Sequence, residues 1–252
     1  LIEVKDGAQL SNPQDGPSAN TVDLVGQNIK VDNGGQVSAN DVRLVATKGT
    51  GSVTLDKDSY GYLKLPTSMP TAATAGKVVI DGKDTAITSS SDGGGRVGIW
   101  GGNVSITNGA GIESTQIGYT EPSLSNGVTI IASSLRMANN GYIATDNYSI
   151  AGSDVGSPGL SIYSSSDISL RSGSKLSVSN KYGGHRGIFR VSSNSSIYLD
   201  GGADPGFPDS SSYLFGDKIY ISASNDIRMA NGFYLMGGSF VSMESGRYLS
   251  LA

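Results

Sequence analysis

Between residues 160 and 199 the apolar residues come in pairs at i and i+2: Leu160/Ile162, Ile168/Leu170, Leu176/Val178, Phe189/Val191 and Ile197/Leu199. Successive side chains of a strand point to opposite sides, so each pair marks the buried face of a short strand. A helix would need apolar residues at i, i+3 and i+4, which this stretch lacks. Ser, Asn, Asp and Gly fill the gaps between pairs. The unit is strand, turn, strand, repeated.

The same pattern extends over the chain as a template: an apolar pair, a turn residue three positions on, and a further apolar residue. It occurs as Ile2, Val4, Gly7, Leu10, as Ile29, Val31, Gly34, Val37, and as Val104, Ile106, Gly109, Ile112. It returns as Leu135, Met137, Asn140, Ile143, then Ile168, Leu170, Gly173, Leu176, then Ile227, Met229, Gly232, Leu235, then Val241, Met243, Gly246, Leu249. A weaker copy is Ile197, Leu199, Gly202, with Pro205 where the last apolar residue should be. The turn residue is Gly or Asn throughout, the types that tolerate a left-handed backbone, so the turn is expected to require positive φ.

Most copies follow one more apolar pair, such as Val22/Leu24, Val97/Ile99, Leu160/Ile162, Phe189/Val191 or Ile219/Ile221. A full unit therefore holds a lead strand, a template strand and a third strand after the turn. The cleaner copies start at 104, 135, 168, 197 and 227, which are 29 to 33 residues apart. The region 42–96 is less regular, with strand pairs at Val53/Leu55, Leu63/Leu65 and Val78/Ile80; the region 97–252 is the most regular. Insertions are expected mostly after the third strand, at 11–20, 66–76, 113–126, 144–159, 179–187 and 204–217, and all eight prolines fall within them. Proline cannot donate to a central ladder, which supports this division into core and loop.

Three strands per turn predict a single all-β domain over residues 1–252: a parallel β-helix, or β-solenoid, with loops on one flank and no caps. About nine turns at the spacing of neighbouring strands would give a rod roughly 40–45 Å long. The eight-residue beat at Ile219, Ile227, Leu235, Met243 and Leu251 also suits a β-helix wound from three chains. Neither end carries a helix, a Pro block or a charge cluster. Written tail to head, 248–252 followed by 1–10 continues as lead, template and third strand. Exposed strand edges template further pairing, so Ile2 and Val4 at one end and Leu249 and Leu251 at the other are the expected stacking residues. A capless rod of this kind either stacks end to end or is a slice of a longer rod.

Composition narrows the function. Thirty-six glycines and only 16% charged residues would suit a disordered chain, but the apolar pairs give this one something to bury. A net charge of −4 and the lack of a basic patch disfavour nucleic acid as a partner. No apolar run approaches the roughly 18 residues of a membrane span, so no membrane insertion is expected. With no cysteine there is no disulfide framework or Cys-based metal site. The first residue is Leu, with no charged-then-apolar leader, as in a processed product or a part of something longer.

Few residues carry chemistry. The only histidine, His185, lies beside Lys181, Tyr182 and Arg186 in a Gly-rich loop. A Ser–His–Asp site would depend entirely on it, and loop decoration is the simpler reading. Asp56, Asp58 and Gly61 resemble the opening of a calcium loop, but the closing Glu is missing. Asp81 and Asp84 read as turn residues. Sequons at Asn103, Asn147 and Asn194 are what a Ser- and Asn-rich chain produces by chance. No metal or cofactor is expected. Trp100 is a surface platform or a bulge anchor. Tyr119, Tyr148, Tyr182, Phe207 and Tyr213, with His185 and Arg186, are candidate loop contacts to a sugar ring or a neighbouring fibre.

The phrases at 160–180 (LSIYSSSDISLRSGSKLSVSN) and 2–10 (IEVKDGAQL) resemble repeats of filamentous-haemagglutinin-type secreted adhesins. That resemblance implies a right-handed single-chain β-helix displayed outside the cell. The segments 232–252 and 65–76 look like parts of phage tail fibres and minor tail proteins, which would imply a trimeric shaft on a virion. The expected function is a non-enzymatic extracellular fibre unit that stacks head to tail with itself and contacts cell-surface carbohydrate. A homotrimeric phage shaft that recognises a host surface is the alternative, and a polysaccharide lyase or hydrolase the third reading.

Overall fold

A computed structural model describes residues 1–12, 20–48, 65–66, 68–71, 73–91, 95–116, 127–147, 159–180, 187–201 and 212–251. All regular structure in them is strand. In chain order the first strands are β1 (Ile2–Val4), β2 (Gln9–Asn12), β3 (Thr21–Gly26), β4 (Asn28–Asp32), β5 (Gln36–Ala39), β6 (Asp41–Ala46) and β7 (Lys77–Asp81). Next come β8 (Ala86–Ser91), β9 (Arg96–Thr107), β10 (Gly111–Gln116), β11 (Gly127–Ala138), β12 (Tyr142–Asn147), β13 (Gly159–Ser164) and β14 (Ile168–Leu170). The last are β15 (Lys175–Asn180), β16 (Ile188–Ser193), β17 (Ile197–Leu199), β18 (Ser212–Ala223), β19 (Ile227–Met229), β20 (Phe233–Ser245) and β21 (Leu249–Leu251).

All the strand pairings are parallel and link one coil to the next, which makes a parallel β-helix with three faces. The template face stacks β1, β4, β7, the second halves of β9 and β11, then β14, β17, β19 and β21. The third face stacks β2, β5, β8, β10, β12, β15 and the first halves of β18 and β20. The lead face stacks β3, β6, the first halves of β9 and β11, then β13, β16 and the second halves of β18 and β20. One chain thus supplies all three faces of every coil. The eight-residue beat near the C-terminus is the step from face to face within that chain.

Register stacks like on like. On the template face Ile29, Val78, Val104, Leu135, Ile168, Ile197 and Ile227 form one inward column, and all seven are buried. A single apolar cluster runs from Val4 to Phe233. The third face mixes hydroxyls into its column: Ser89, Ser114 and Thr145 point inward where Val178 follows. Ser114 satisfies its hydroxyl by donating to the Gly95 carbonyl (2.6 Å). Because of these residues β10 and β12 run on to Gln116 and Asn147, beyond the points where their apolar residues stop.

The corner between template and third faces is a two-residue left-handed turn. Asp6/Gly7, Asn33/Gly34, Asn108/Gly109, Asn139/Asn140 and Ser172/Gly173 all have positive φ. Each turn closes with a hydrogen bond from the fourth residue back to the first, as from Ala110 to Thr107 (3.1 Å). Two consecutive positive φ values are what Asn-Gly and Asp-Gly favour. The Asn side chains also form a ladder, with Asn139 Nδ2 donating to Asn108 Oδ1 (2.9 Å) and Asn108 Nδ2 to Asp81 Oδ1 (2.8 Å). Gly232 has positive φ at the equivalent corner, while Gly202 lies outside the described residues.

Several sequence expectations need correction. Gly246 lacks positive φ, because the segment 241–249 is one face out of phase with the template. Val241 and Met243 pair with Ile219 and Ile221 on the lead face, and Leu249 and Leu251 pair with Ile227 and Met229 on the template face. Gly246 therefore sits at the lead-to-template corner. There a Cβ would come within 2.1 Å of the Ser224 carbonyl oxygen. For the same reason the tail-to-head reading fails, since the C-terminal strand is a template strand and not a lead strand.

The coil through Val78 and Ile80 has one extra residue at its turn, which is why Ile87 falls off the template spacing. The insertion ending at Gly76 follows a lead strand, and the one at 202–211 precedes a third strand. The other connections, at 13–20, 92–95, 117–126, 148–158 and 181–187, follow third strands. The pair Val53/Leu55 lies outside the described residues, as does Leu63. Leu65 belongs to no strand.

Candidate functional site

The inward apolar columns are most exposed in the first and last described coils. Val241 is 42% exposed, Leu249 48% and Leu251 60%, although they stand in register with Ile219, Ile227 and Met229 one coil further in. Ile219 and Ile227 are fully buried. At the other end Leu10 is 39% exposed, Ile2 half-buried and Val4 buried. Among the described residues β21 pairs with β19 and β1 with β4, so these apolar residues are covered by a neighbouring strand on one side.

The outer surface of the last two coils is unusually apolar for this chain. Phe215, Tyr220, Tyr234, Met236 and Phe240 are exposed. The Tyr220 and Phe240 rings lie 5.4 Å apart, and the Arg190 guanidinium covers Tyr220 at 5.4 Å. Such a cluster can stack on a sugar ring or on another rod. Tyr213, expected in a loop, is a strand residue of β18 in register with Lys175 and Tyr234. Burial pushes its phenol pKa above the ordinary tyrosine value.

A groove of about 420 Å³ runs along the lead face. Its floor is one outward column, with Gly98, Thr129 and Ser161 between Arg43 at one end and Arg190 at the other. Arg96 lines it as well, and Leu65 forms a wall against Gly98. Arg43 is held by Asp23, to which its Nε donates at 2.9 Å. Leu65 belongs to a segment docked across the outside of the rod. Trp100 Nε1 donates to the Ser68 carbonyl (2.9 Å), and Ser133 and Ser165 both donate to the Pro70 carbonyl (2.8 and 3.3 Å). Trp100 is thus buried in a satellite cluster with Val45 and Ala75. It anchors the insertion and is not a surface platform. The groove was missed in the sequence because its floor residues lie about 30 positions apart and align only once the register is known.

The remaining sequence candidates separate cleanly. Asp81 accepts from the Thr107 hydroxyl and the Asn108 amide, which makes it a corner residue; Asp84 has a left-handed backbone. Tyr119, Tyr148, Tyr182, His185, Arg186 and Phe207 lie outside the described residues, as do Asp56, Asp58 and Gly61. Among the described residues no three His, Cys, Asp or Glu side chains gather where they could hold a metal ion. No protein-family model matches the chain, and no curated protein or solved structure matches it either.

Proposed function

We propose that the chain is a non-enzymatic structural unit of an extracellular fibre, a stiff β-solenoid that stacks end to end and makes lateral contacts through its sides. The observation that carries this reading is the register itself, three faces of parallel strands on which apolar residues stack coil upon coil. A strand edge with an apolar floor is a natural template for a parallel strand of the same pattern, and Ile2, Val4, Leu10, Val22 and Leu24 carry that pattern as Val241, Leu249 and Leu251 do. The low charge and lack of cysteine suit a surface fibre, as does the resemblance to secreted adhesins. The groove and the aromatic cluster are the side surfaces through which surface carbohydrate would be met.

The test is electron imaging and sedimentation of the purified chain over a range of concentrations. Filaments one rod wide that lengthen with concentration are expected. The double substitution Leu249→Lys and Leu251→Lys should leave single rods, because it places two cations over the end of the core. A concentration-independent trimer would favour a phage-type shaft and overturn the end-to-end reading.

A further inference from the structure

The groove on the lead face gathers cations on a chain whose net charge is −4. Arg43, Arg96 and Arg190 line it, and Asp41 is the one carboxylate among the described residues that do. Two of these guanidiniums have a carboxylate beside them: Arg43 donates to Asp23, and Arg96 stands in register with Asp41. Arg190 is exposed and makes no ion pair among the described residues. One face of its guanidinium lies over the Tyr220 ring, 5.4 Å from the centroid. A guanidinium held by one face keeps its planar fork of N–H donors for an anion. The floor beside it is equally uncommitted. Thr129 and Ser161 are half-buried outward residues of β11 and β13, and among the described residues their hydroxyls have no hydrogen-bond partner. They share one column with Arg190, so the three side chains follow one another at about 4.8 Å, the spacing of neighbouring strands. Gly159 keeps the space beside them open, since a Cβ there would meet nothing closer than the Ile188 carbonyl oxygen at 4.0 Å.

We propose that this groove binds a short stretch of an acidic oligosaccharide laid along the rod, with its acid group on Arg190 and its hydroxyls on Thr129 and Ser161. This rests on the reading of the chain as an extracellular unit that meets carbohydrate through its sides, and it names the class of sugar. A sugar chain presents hydroxyls together with apolar ring faces. The hydroxyl floor and the side chains of Leu65 and Ile188 along the groove match both. The surplus of guanidinium over carboxylate selects an anionic sugar over a neutral one. A carboxylate and a sulfate present the same kind of oxygen pair to Arg190. Two other anionic occupants fit less well. An extended peptide binds by adding to an open strand edge, whereas the floor is the face of a sheet whose central strands pair with a neighbour on each side. Single-stranded nucleic acid needs aromatic rings on which bases stack, and no aromatic side chain is among the described residues lining the groove.

The test is calorimetric titration of the purified chain with four probes. Oligogalacturonate carries carboxylates alone, oligocarrageenan sulfates alone, cellohexaose no charge, and oligothymidylate phosphates. At least one acidic sugar should bind roughly tenfold or more tightly than cellohexaose, and Arg190→Gln should weaken it by about the same factor, as loss of a charge-assisted hydrogen bond does. Which of the two binds identifies the acid. Gly159→Leu fills the groove where a Cβ has space, so it should block binding while leaving the far-UV circular dichroism spectrum unchanged. Equal affinity for cellohexaose, tighter binding of oligothymidylate, or no binding of either acidic sugar would overturn the proposal. Acidic-sugar binding that survives both substitutions and is lost in Tyr234→Ala would also overturn it, by moving the sugar to the aromatic cluster, and would leave the carbohydrate reading standing. Electron imaging of the same samples tests the fibre reading separately. Filaments without sugar binding overturn the groove alone; sugar binding without filaments upholds the groove and overturns the fibre.

Discussion

Ile168→Ala and Leu251→Ala together test whether the inward columns hold the rod up. Ile168 is fully buried and stacked between Leu135 and Ile197. Truncation removes three carbons at about 0.8 kcal/mol each. The cavity left between two fixed neighbours raises the cost to about 3–4 kcal/mol. Leu251 stands in a terminal column, has Met229 as its single neighbour in register and is already 60% exposed. Only about two-fifths of its removed surface was out of water and no closed cavity forms, so the cost is roughly 1 kcal/mol. Because a solenoid's stability is close to a sum of coil and neighbour terms, the two costs should differ about threefold. The assay is urea unfolding followed by far-UV circular dichroism, at concentrations below filament onset. The midpoints should move with the slope unchanged. Equal costs at the two positions, or a cost below about 1 kcal/mol for Ile168→Ala, would refute the packed-column account.

Three further outcomes are expected. Thr145 is fully buried and its hydroxyl has no hydrogen-bond partner among the described residues, so the isosteric Thr145→Val should stabilise the rod by about 1–2 kcal/mol in the same urea assay. The Tyr142 hydroxyl donates to Glu113 Oε1 at 2.7 Å, and burial first, then this bond to the carboxylate, pushes its pKa well above the ordinary tyrosine range. The folded state therefore favours the protonated phenol, so the stabilisation is full below about pH 10 and is lost only as pH rises through the elevated value. An absorbance titration at alkaline pH should show late-ionising tyrosines, and Tyr142→Phe should remove one of them while Tyr213 remains. A panel of acidic and neutral polysaccharides should be left intact by the protein; cleavage abolished by His185→Ala would overturn the non-enzymatic reading.

The architecture was legible wherever inward positions are apolar. Ile168/Leu170 and Val104/Ile106 announce their strands because both inward residues are large and the residue between is polar. Ser89, Ser114 and Thr145 hid the ends of their strands, because an inward hydroxyl looks like a loop residue until its partner or its burial is seen. The corner turn was half legible. Gly109 and Gly173 stood out, but the equal demand on the residue before each, met by Asn108 and Ser172, did not. Length confounded the rest. An added residue at the turn after Ile80 pushed Ile87 off the template, and the insertion before Ser212 moved Leu214 far from Ile197 and Leu199. Sites built across coils were invisible for a related reason. Arg43, Gly98, Thr129 and Ser161 become neighbours only through the register, which depends on where each insertion is placed.

The phase of the last coil carries the largest consequence. Read by spacing alone, Val241, Met243, Gly246 and Leu249 repeat the template, and tail joins head as one more unit of an endless coil. Placed by pairing, Val241 belongs to the lead face and Leu249 to the template face. Spacing alone leaves the phase open, because eight residues step the chain from one face to the next whichever face it starts on. Gly246 meets the template's spacing but stands at the lead-to-template corner, where it is needed for space and not for a left-handed backbone, since a Cβ there would come within 2.1 Å of the Ser224 carbonyl oxygen. Only the pairing partner, Ile219 for Val241 and Ile227 for Leu249, assigns a strand to its face.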